Sequence, residues 1–353
     1  MIHIRKNSAS FVSSFAVKSG TMALLATVLI SGTVAGGCKK NDKPAAKTGA
    51  AAKPGDKPMA GTPAGTATAG GTQTMAAAGG DDLAYLPAAS DVIAQIDLAK
   101  LRSSALYKSF LEPKLREALE KDGKFAQFKA KCGMDPIAEL SSISIGMTGA
   151  DNPQGVVIVH GMDKAKSLAC LEKTKAEMEA EGSKYAVDGE IITITTKDGK
   201  TSVMTFIDAN SAVLQIGPAV NKDTLAGVLA GTAGVKSSAA FMDLYGKTKA
   251  ATVRFLVNGN MKQLQNNPMG IKPKAVFGSV DITDGLGVVV AARLNSDAEA
   301  TQLAATIQGQ VAQAKAFVTK ADVTADGSDV RIDVAMSSEQ MTALAGMAGG
   351  FMR

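Results

Sequence analysis

Residues 184–217 read KYAVDGEIITITTKDGKTSVMTFIDANSAVLQIG, and this stretch decides the fold. Asp188-Gly189 and Asp198-Gly199 each separate runs rich in Ile, Val and Thr. Both residues of an Asp-Gly pair tolerate positive φ, which the tight turn of a two-stranded hairpin requires. Asp208-Ala209-Asn210 makes a looser turn, and Asp284-Gly285 and Asp326-Gly327 repeat the signal further on. An antiparallel meander follows. These aspartates are accounted for by turn geometry rather than by metal binding.

Working outward, VIAQID at 92–97 reads as a strand, and Leu98, Leu101, Ala105 and Leu106 then fall near one face of an amphipathic helix. Pro113 breaks that helix or starts the next, which carries Leu115 and Leu119 and, after a turn at Gly123, Phe125 and Phe128. Residues 143–147 and 156–159 read as paired strands. The run GVVIVHG at 155–161 is apolar on both faces, which places it inside a sheet covered by helices. Asp163 is the expected cap of a helix running to about Glu181. The expected architecture is α+β, an antiparallel sheet with helices packed on one face.

The pattern also echoes itself. ISIGM and GVVIVHG lead into the helix from Asp163 and the hairpin at Asp188-Gly189; FGSVDI and GLGVVVAARL lead into a helix from Asp297 and the hairpin at Asp326-Gly327. Ser296 and Glu299 fit a capping box at the start of the second helix. Two pseudo-repeated halves, about 82–200 and 201–353, are the reading this order suggests; chance alternation within an α+β chain is the other.

The N-terminus is of a different kind. Arg5, Lys6 and Lys18 precede a short apolar run, MALLATVLISGTV at 22–34, closed by Ala35-Gly36-Gly37-Cys38. Such a run is too short for a bilayer-crossing helix, which needs roughly 20 apolar residues, so residues 1–37 read as a processed signal. The ending resembles the lipobox of bacterial lipoproteins, with Ala35 where that class usually has Leu. The resemblance implies cleavage before Cys38, diacylglycerol on its sulfur, and Lys39 directing the protein to the outer membrane, facing the periplasm or the cell surface. Ordinary secretion with cleavage near Ala35 and a free Cys38 thiol is the alternative. Each buried acyl CH2 contributes roughly 0.8 kcal/mol, so two or three chains make a stable anchor. The folded region, through LPAASDVIAQIDLAKLRSSALYKSFL and the later CGMDP, is similar to envelope lipoproteins of the myxobacterial type, a resemblance that implies no activity.

After Cys38, residues 39–81 are almost wholly Ala, Gly, Thr, Pro and Lys, a composition that cannot offset its ordering entropy by burial and is expected to form a disordered linker. Its mean span is roughly 35 Å. The formal net charge is +5, and the linker holds Lys39, Lys40, Lys43, Lys47, Lys53 and Lys57 against Asp42, Asp56 and Asp81. The domain from residue 82 onward is thus nearly neutral, which argues against nucleic acid as a partner. The membrane, reached through the N-terminal lipid, and an envelope protein are the expected partners.

Cys132 and Cys170 are the other cysteines, and an even pair in an exported chain suggests a disulfide. Leu168, Leu171 and Met178 mark an apolar stripe that leaves Cys170 on the far side of its helix, a position that needs a cover such as Cys132. A bridge closing that loop contributes roughly 3–4 kcal/mol. Two buried, unpaired thiols are the alternative.

Chemical motifs are sparse. With His3 in the signal, His160 stands alone in an apolar strand, where a hydrogen-bonded core role is expected rather than a base or a metal ligand. The sequence holds no G-x-S-x-G, H-E-x-x-H, phosphate loop or dinucleotide fingerprint. Glu177 and Glu181 read as exposed charges beside Lys173, Lys175 and Lys184. No catalytic residue, cofactor or metal is expected. Met341, Leu344, Met347 and Phe351 recur at helical spacing, as a terminal helix on the sheet or a docking face. The expected function is a membrane-anchored, non-enzymatic interaction or scaffolding module of the envelope. A periplasmic binder of an apolar ligand is the alternative, and a hydrolase with a hidden serine the third reading.

Overall fold

The computed structural model describes residues 82–121, 123–149, 152–266, 270–315 and 318–343. Cys38, the signal and the linker, like Leu344, Met347 and Phe351, lie outside the described residues. The fold is α+β. Its strands are β1 (Val92–Asp97), β2 (Ser142–Thr148), β3 (Gln154–His160), β4 (Lys184–Asp188), β5 (Ile191–Thr195), β6 (Thr201–Phe206), β7 (Ser211–Gly217), β8 (Val253–Asn258), β9 (Ala275–Asp281), β10 (Gly285–Arg293), β11 (Lys320–Asp326) and β12 (Asp329–Ser337). They form one twelve-stranded sheet in the order β11-β12-β10-β9-β8-β1-β2-β3-β7-β6-β5-β4. Every pairing is antiparallel.

All five turns expected from sequence join adjacent strands. Gly189, Gly199 and Gly327 take φ of 64°, 79° and 56°, the left-handed region that only glycine enters cheaply. Outward from the central β1–β8 pair, both flanks follow the same order of connection: β1-β2-β3-β7-β6 on one side and β8-β9-β10-β12-β11 on the other. The first flank carries the extra hairpin β4–β5. In this order the counterpart of β11–β12 is therefore β6–β7, with its Asp208-Ala209-Asn210 turn, rather than the hairpin at Asp188-Gly189. The chain passes from one flank to the other between β7 and β8.

The helices are α1 (Leu98–Ser103), α2 (Glu112–Lys121), α3 (Gly123–Cys132), α4 (Pro136–Glu139), α5 (Lys164–Ala180), α6 (Lys222–Leu229), α7 (Ala239–Gly246), α8 (Lys262–Gln265) and α9 (Asp297–Ala314). Asp163 caps α5 by accepting from the Lys166 N–H at 2.8 Å. At α9, Ser296 accepts from the Glu299 N–H, while the Glu299 carboxylate reaches past the cap to the Asn295 N–H at 3.1 Å, so the capping box is displaced by one residue. A π-helical turn at Tyr107–Leu111 leads into α2 and accommodates Pro113, which has no N–H to give.

Helices cover both faces of the sheet, where the sequence suggested one. Ala291 and Ala292 are neighbours in β10 and must point oppositely. Ala291 packs in a core with Ile93, Val156, Leu256 and Phe277 under Leu83, Leu225, Val235, Phe241 and Leu244, contributed by α6, α7 and the 3-10 turns at Asp82–Ala84 and Val235–Ser237. Ala292 packs on the other face, against Val330, Val323 and the Ala300–Ala304 stripe of α9. Leu106, Tyr107 and Met341 cover Val280 and Ile282 on that second face. The reason lies in strands such as GVVIVHG, where Val156 and Ile158 are fully buried on one face and Val157 and Val159 half-buried on the other. A strand apolar on both sides needs two covers.

Candidate functional site: a buried polar seam

The strand registers arrange the face under α6 and α7 in transverse rows. One row is apolar: Val156, Gly146, Ile93, Leu256, Phe277, Ala291. The next runs Ile158, Ser144, Gln95, Arg254, Ser279. The third begins Ser211, His160, Ser142, Asp97 and continues past the Asp97 N–H bond to the Thr252 carbonyl toward Asp281. Most of these polar groups are nearly inaccessible, and burial of that kind costs free energy unless each group finds a partner.

One cluster centres on Asp82, whose side chain is 5% exposed. Its carboxylate accepts from His160 Nε2 at 2.9 Å and from the Ser144 hydroxyl at 2.6 Å. His160 Nδ1 bonds the Ser211 hydroxyl at 2.8 Å. The hydrogen bond to Asp82 raises the imidazole pKa, opposed by burial and helped by the charges of Asp82 and Asp208. Asp208 in turn is held below the usual carboxylate range, first by the Asn210 backbone N–H and also by the Ser211 hydroxyl. The segment carrying Asp82 is fixed to the neighbouring 3-10 turn as well: the Val235 N–H donates to the Leu86 carbonyl at 2.8 Å and the Ala88 N–H to that of Ala233 at 3.0 Å. Gly234 allows this approach, since a Cβ there would sit 1.9 Å from the Ala84 carbonyl oxygen.

The second cluster surrounds Arg254. Gln95 Nε2 donates to Ser144 Oγ at 3.4 Å, the Tyr245 hydroxyl donates to Gln95 Oε1 at 2.6 Å, and Arg254 Nη1 donates to the Tyr245 oxygen at 2.6 Å. The guanidinium lies 3.7 Å from the Tyr245 ring centre, a cation–π contact, and gives further bonds to Thr248 Oγ1 and the Tyr245 carbonyl. Burial depresses its pKa, with Tyr245 acting the other way. Beside it lies a recess of about 150 Å3 lined by Gln95, Asp97, Lys100, Ser142, Ser144 and Arg254, with the apolar residues Ile96, Ile143, Ala250 and Ala251 completing its wall. Asp97 caps α1 through the Lys100 N–H at 2.7 Å, and the Lys100 ammonium pairs with Asp281 at 2.9 Å. Burial works against the Asp281 charge, but bonds from Thr283, Lys100 and Thr252 prevail and hold its pKa at about 2.

His160 is thus the hydrogen-bonded strand residue expected from sequence. Cys132, the last residue of α3, and Cys170, mid-way along α5, lie at disulfide distance, with Cα atoms 4.8 Å apart. Cys170 is not on a wet side: with Ser167 it is the most buried residue of α5, because the helix packs between the sheet and α3. Glu177 pairs with Lys131 across that contact. Asp82, Ser144, Gln95, Arg254 and Ser211 carried no sequence signal of their own. The faint one was the alternation Ser142-Ile-Ser-Ile-Gly146, which puts small polar residues along one face of β2.

Among the described residues no group of three or more His, Cys, Asp or Glu side chains is placed to hold a metal ion, and no helix is long and apolar enough to cross a membrane. Comparison with family models, with curated proteins and with solved structures gave no significant match.

Proposed function

We propose that the chain is a lipid-anchored envelope protein, held at the outer membrane through Cys38 and acting without catalysis as an interaction or scaffolding module. The observation that carries this reading is the fixing of Asp82. The first described residue after the linker is buried and bonded by His160 and Ser144, and its segment is tied to Ala233 and Val235. A pull transmitted through the linker meets the sheet itself, not a fraying end.

The Asp82–His160–Ser211 chain has the residue types of a hydrolase triad, but its arrangement favours a structural clasp. Ser211 is 5% exposed and its hydroxyl lies between His160 and Asp208, so it is committed to the network rather than presented to a substrate. A binder of apolar ligands has less support: charged Arg254, Lys100 and Asp97 share the wall of the recess with Ile96 and Ile143, and its volume of about 150 Å3 falls short of the several hundred Å3 usual for lipid-sized ligands. Fractionation of cells carrying Cys38→Ala is the test. The variant is expected to leave the membrane fraction while its melting temperature stays unchanged. Retention in the membrane fraction would contradict the anchor.

A further inference from the structure

We infer that the recess at the meeting of β1, β2 and β8 is a binding site for a small, singly charged oxyanion group, the carboxylate or monoanionic phosphate of a small solute. Three observations converge there. Ser142 is 3% exposed, lines the recess, and its hydroxyl is the one buried side-chain polar atom without a hydrogen-bond partner among the described residues. A buried hydroxyl left unpaired is costly, so such a group signals a missing acceptor or donor.

Arg254 lines the same recess. Its charge has no carboxylate within pairing distance among the described residues; the groups that hold it are Tyr245 and Thr248, all neutral. Its bonds use the Nε hydrogen, both Nη2 hydrogens and one on Nη1, which leaves one Nη1 hydrogen to give. A partly buried guanidinium without a counter-charge favours an anion beside it, and guanidinium geometry suits carboxylate and phosphate oxygens. The Lys100 ammonium, on the wall of the recess, bonds one carboxylate oxygen of Asp281 and keeps donors in reserve.

The recess also sets limits. Asp97 on its lining opposes a second negative charge, so a monoanion is preferred over a polyanion. A volume of about 150 Å3 admits a small headgroup rather than a whole lipid or a nucleotide. The site lies on the same seam as the Asp82 clasp, since Ser144 borders the recess and bonds Asp82, but it does not depend on the anchor at Cys38.

The test is titration of the full chain at about pH 5.5, where acetate and inorganic phosphate are both mainly monoanions, with sodium acetate and, separately, with sodium phosphate, each against sodium chloride of equal ionic strength, followed by calorimetry and melting temperature. A saturable response to one of the two is expected, and the stronger one identifies the group as carboxylate or phosphate. Ser142→Ala should leave the melting temperature of the unliganded protein unchanged or slightly raised and weaken binding about tenfold, the loss typical of one hydrogen bond to a charged group. Arg254→Gln should abolish saturation. Because Arg254 also braces Tyr245, the Ser142→Ala result decides if that variant fails to fold. No saturable response to either anion at tens of millimolar, or equal affinity in wild type and Ser142→Ala, would overturn the proposal.

Discussion

The apolar row through Val156, Ile93, Leu256 and Phe277 and the polar rows beside it lie on the same face of the same sheet, under the same helices, yet they are held by different physics. The apolar row gains from area removed from water, a contribution indifferent to pH and tolerant of exchange between side chains of similar volume. The polar rows gain little net free energy per bond and lose much when a bond is broken, because each partner is then left buried and unsatisfied. The lesson is that one row makes the domain stable and the others make it particular. The Asp82 clasp, the Arg254–Tyr245 stack and the recess all fall in the second kind.

Substitutions should separate the two regimes. Phe277→Ala, at a residue 2% exposed, is expected to cost about 3–5 kcal/mol in chemical denaturation, at all moderate pH values alike. Asp82→Ala should cost about 1–3 kcal/mol, from leaving His160 and Ser144 without their shared acceptor. That second loss should depend on pH. The His160 pKa is raised in the folded protein, so its contribution is fully present below the unfolded value near 6.5 and fades as pH rises through the folded value. The gap between wild type and Asp82→Ala should therefore narrow in alkali, whereas the Phe277→Ala gap should not. A pH-independent Asp82 gap would mean the clasp is packing rather than charge.

At the acid end the sign reverses. Asp281, held at about 2, contributes stability above its unfolded value near 3.8 that is lost as pH falls toward 2. Denaturation midpoints followed from pH 5 downward should show this loss in wild type and not in Asp281→Asn. The group is partly exposed and pairs with a partly exposed Lys100, so the effect is smaller than that of the clasp. Smallest of all is Ser142→Ala without ligand, expected within about 0.5 kcal/mol of wild type because no bond is lost.

Much of the fold was legible in the sequence, and for local reasons. The Asp-Gly turns, the cap at Asp163 and the strand at 92–97 depend on residues within one turn of each other. The cover on both faces was half legible: GVVIVHG asks for it, but nothing local in residues 222–229 or 239–246 says which face of the sheet they cover. The polar seam was illegible because its members meet only through registry. His160 and Asp82 are 78 residues apart, and Tyr245 and Gln95 are 150 apart. Strand β2 shows the limit well, since Ser142-Ile-Ser-Ile alternates as a half-exposed strand would, and only the helices laid over it turn its serines into buried ones. Cys170 failed the stripe argument for a related reason, because α5 packs against α3 as well as against the sheet.

The anchor remains the claim on which the functional reading turns, and mass spectrometry of the mature N-terminal peptide tests it most directly. A peptide beginning at Cys38 and carrying diacylglycerol is the expected result. A free, unmodified N-terminus, or one that begins upstream of Cys38, would contradict it.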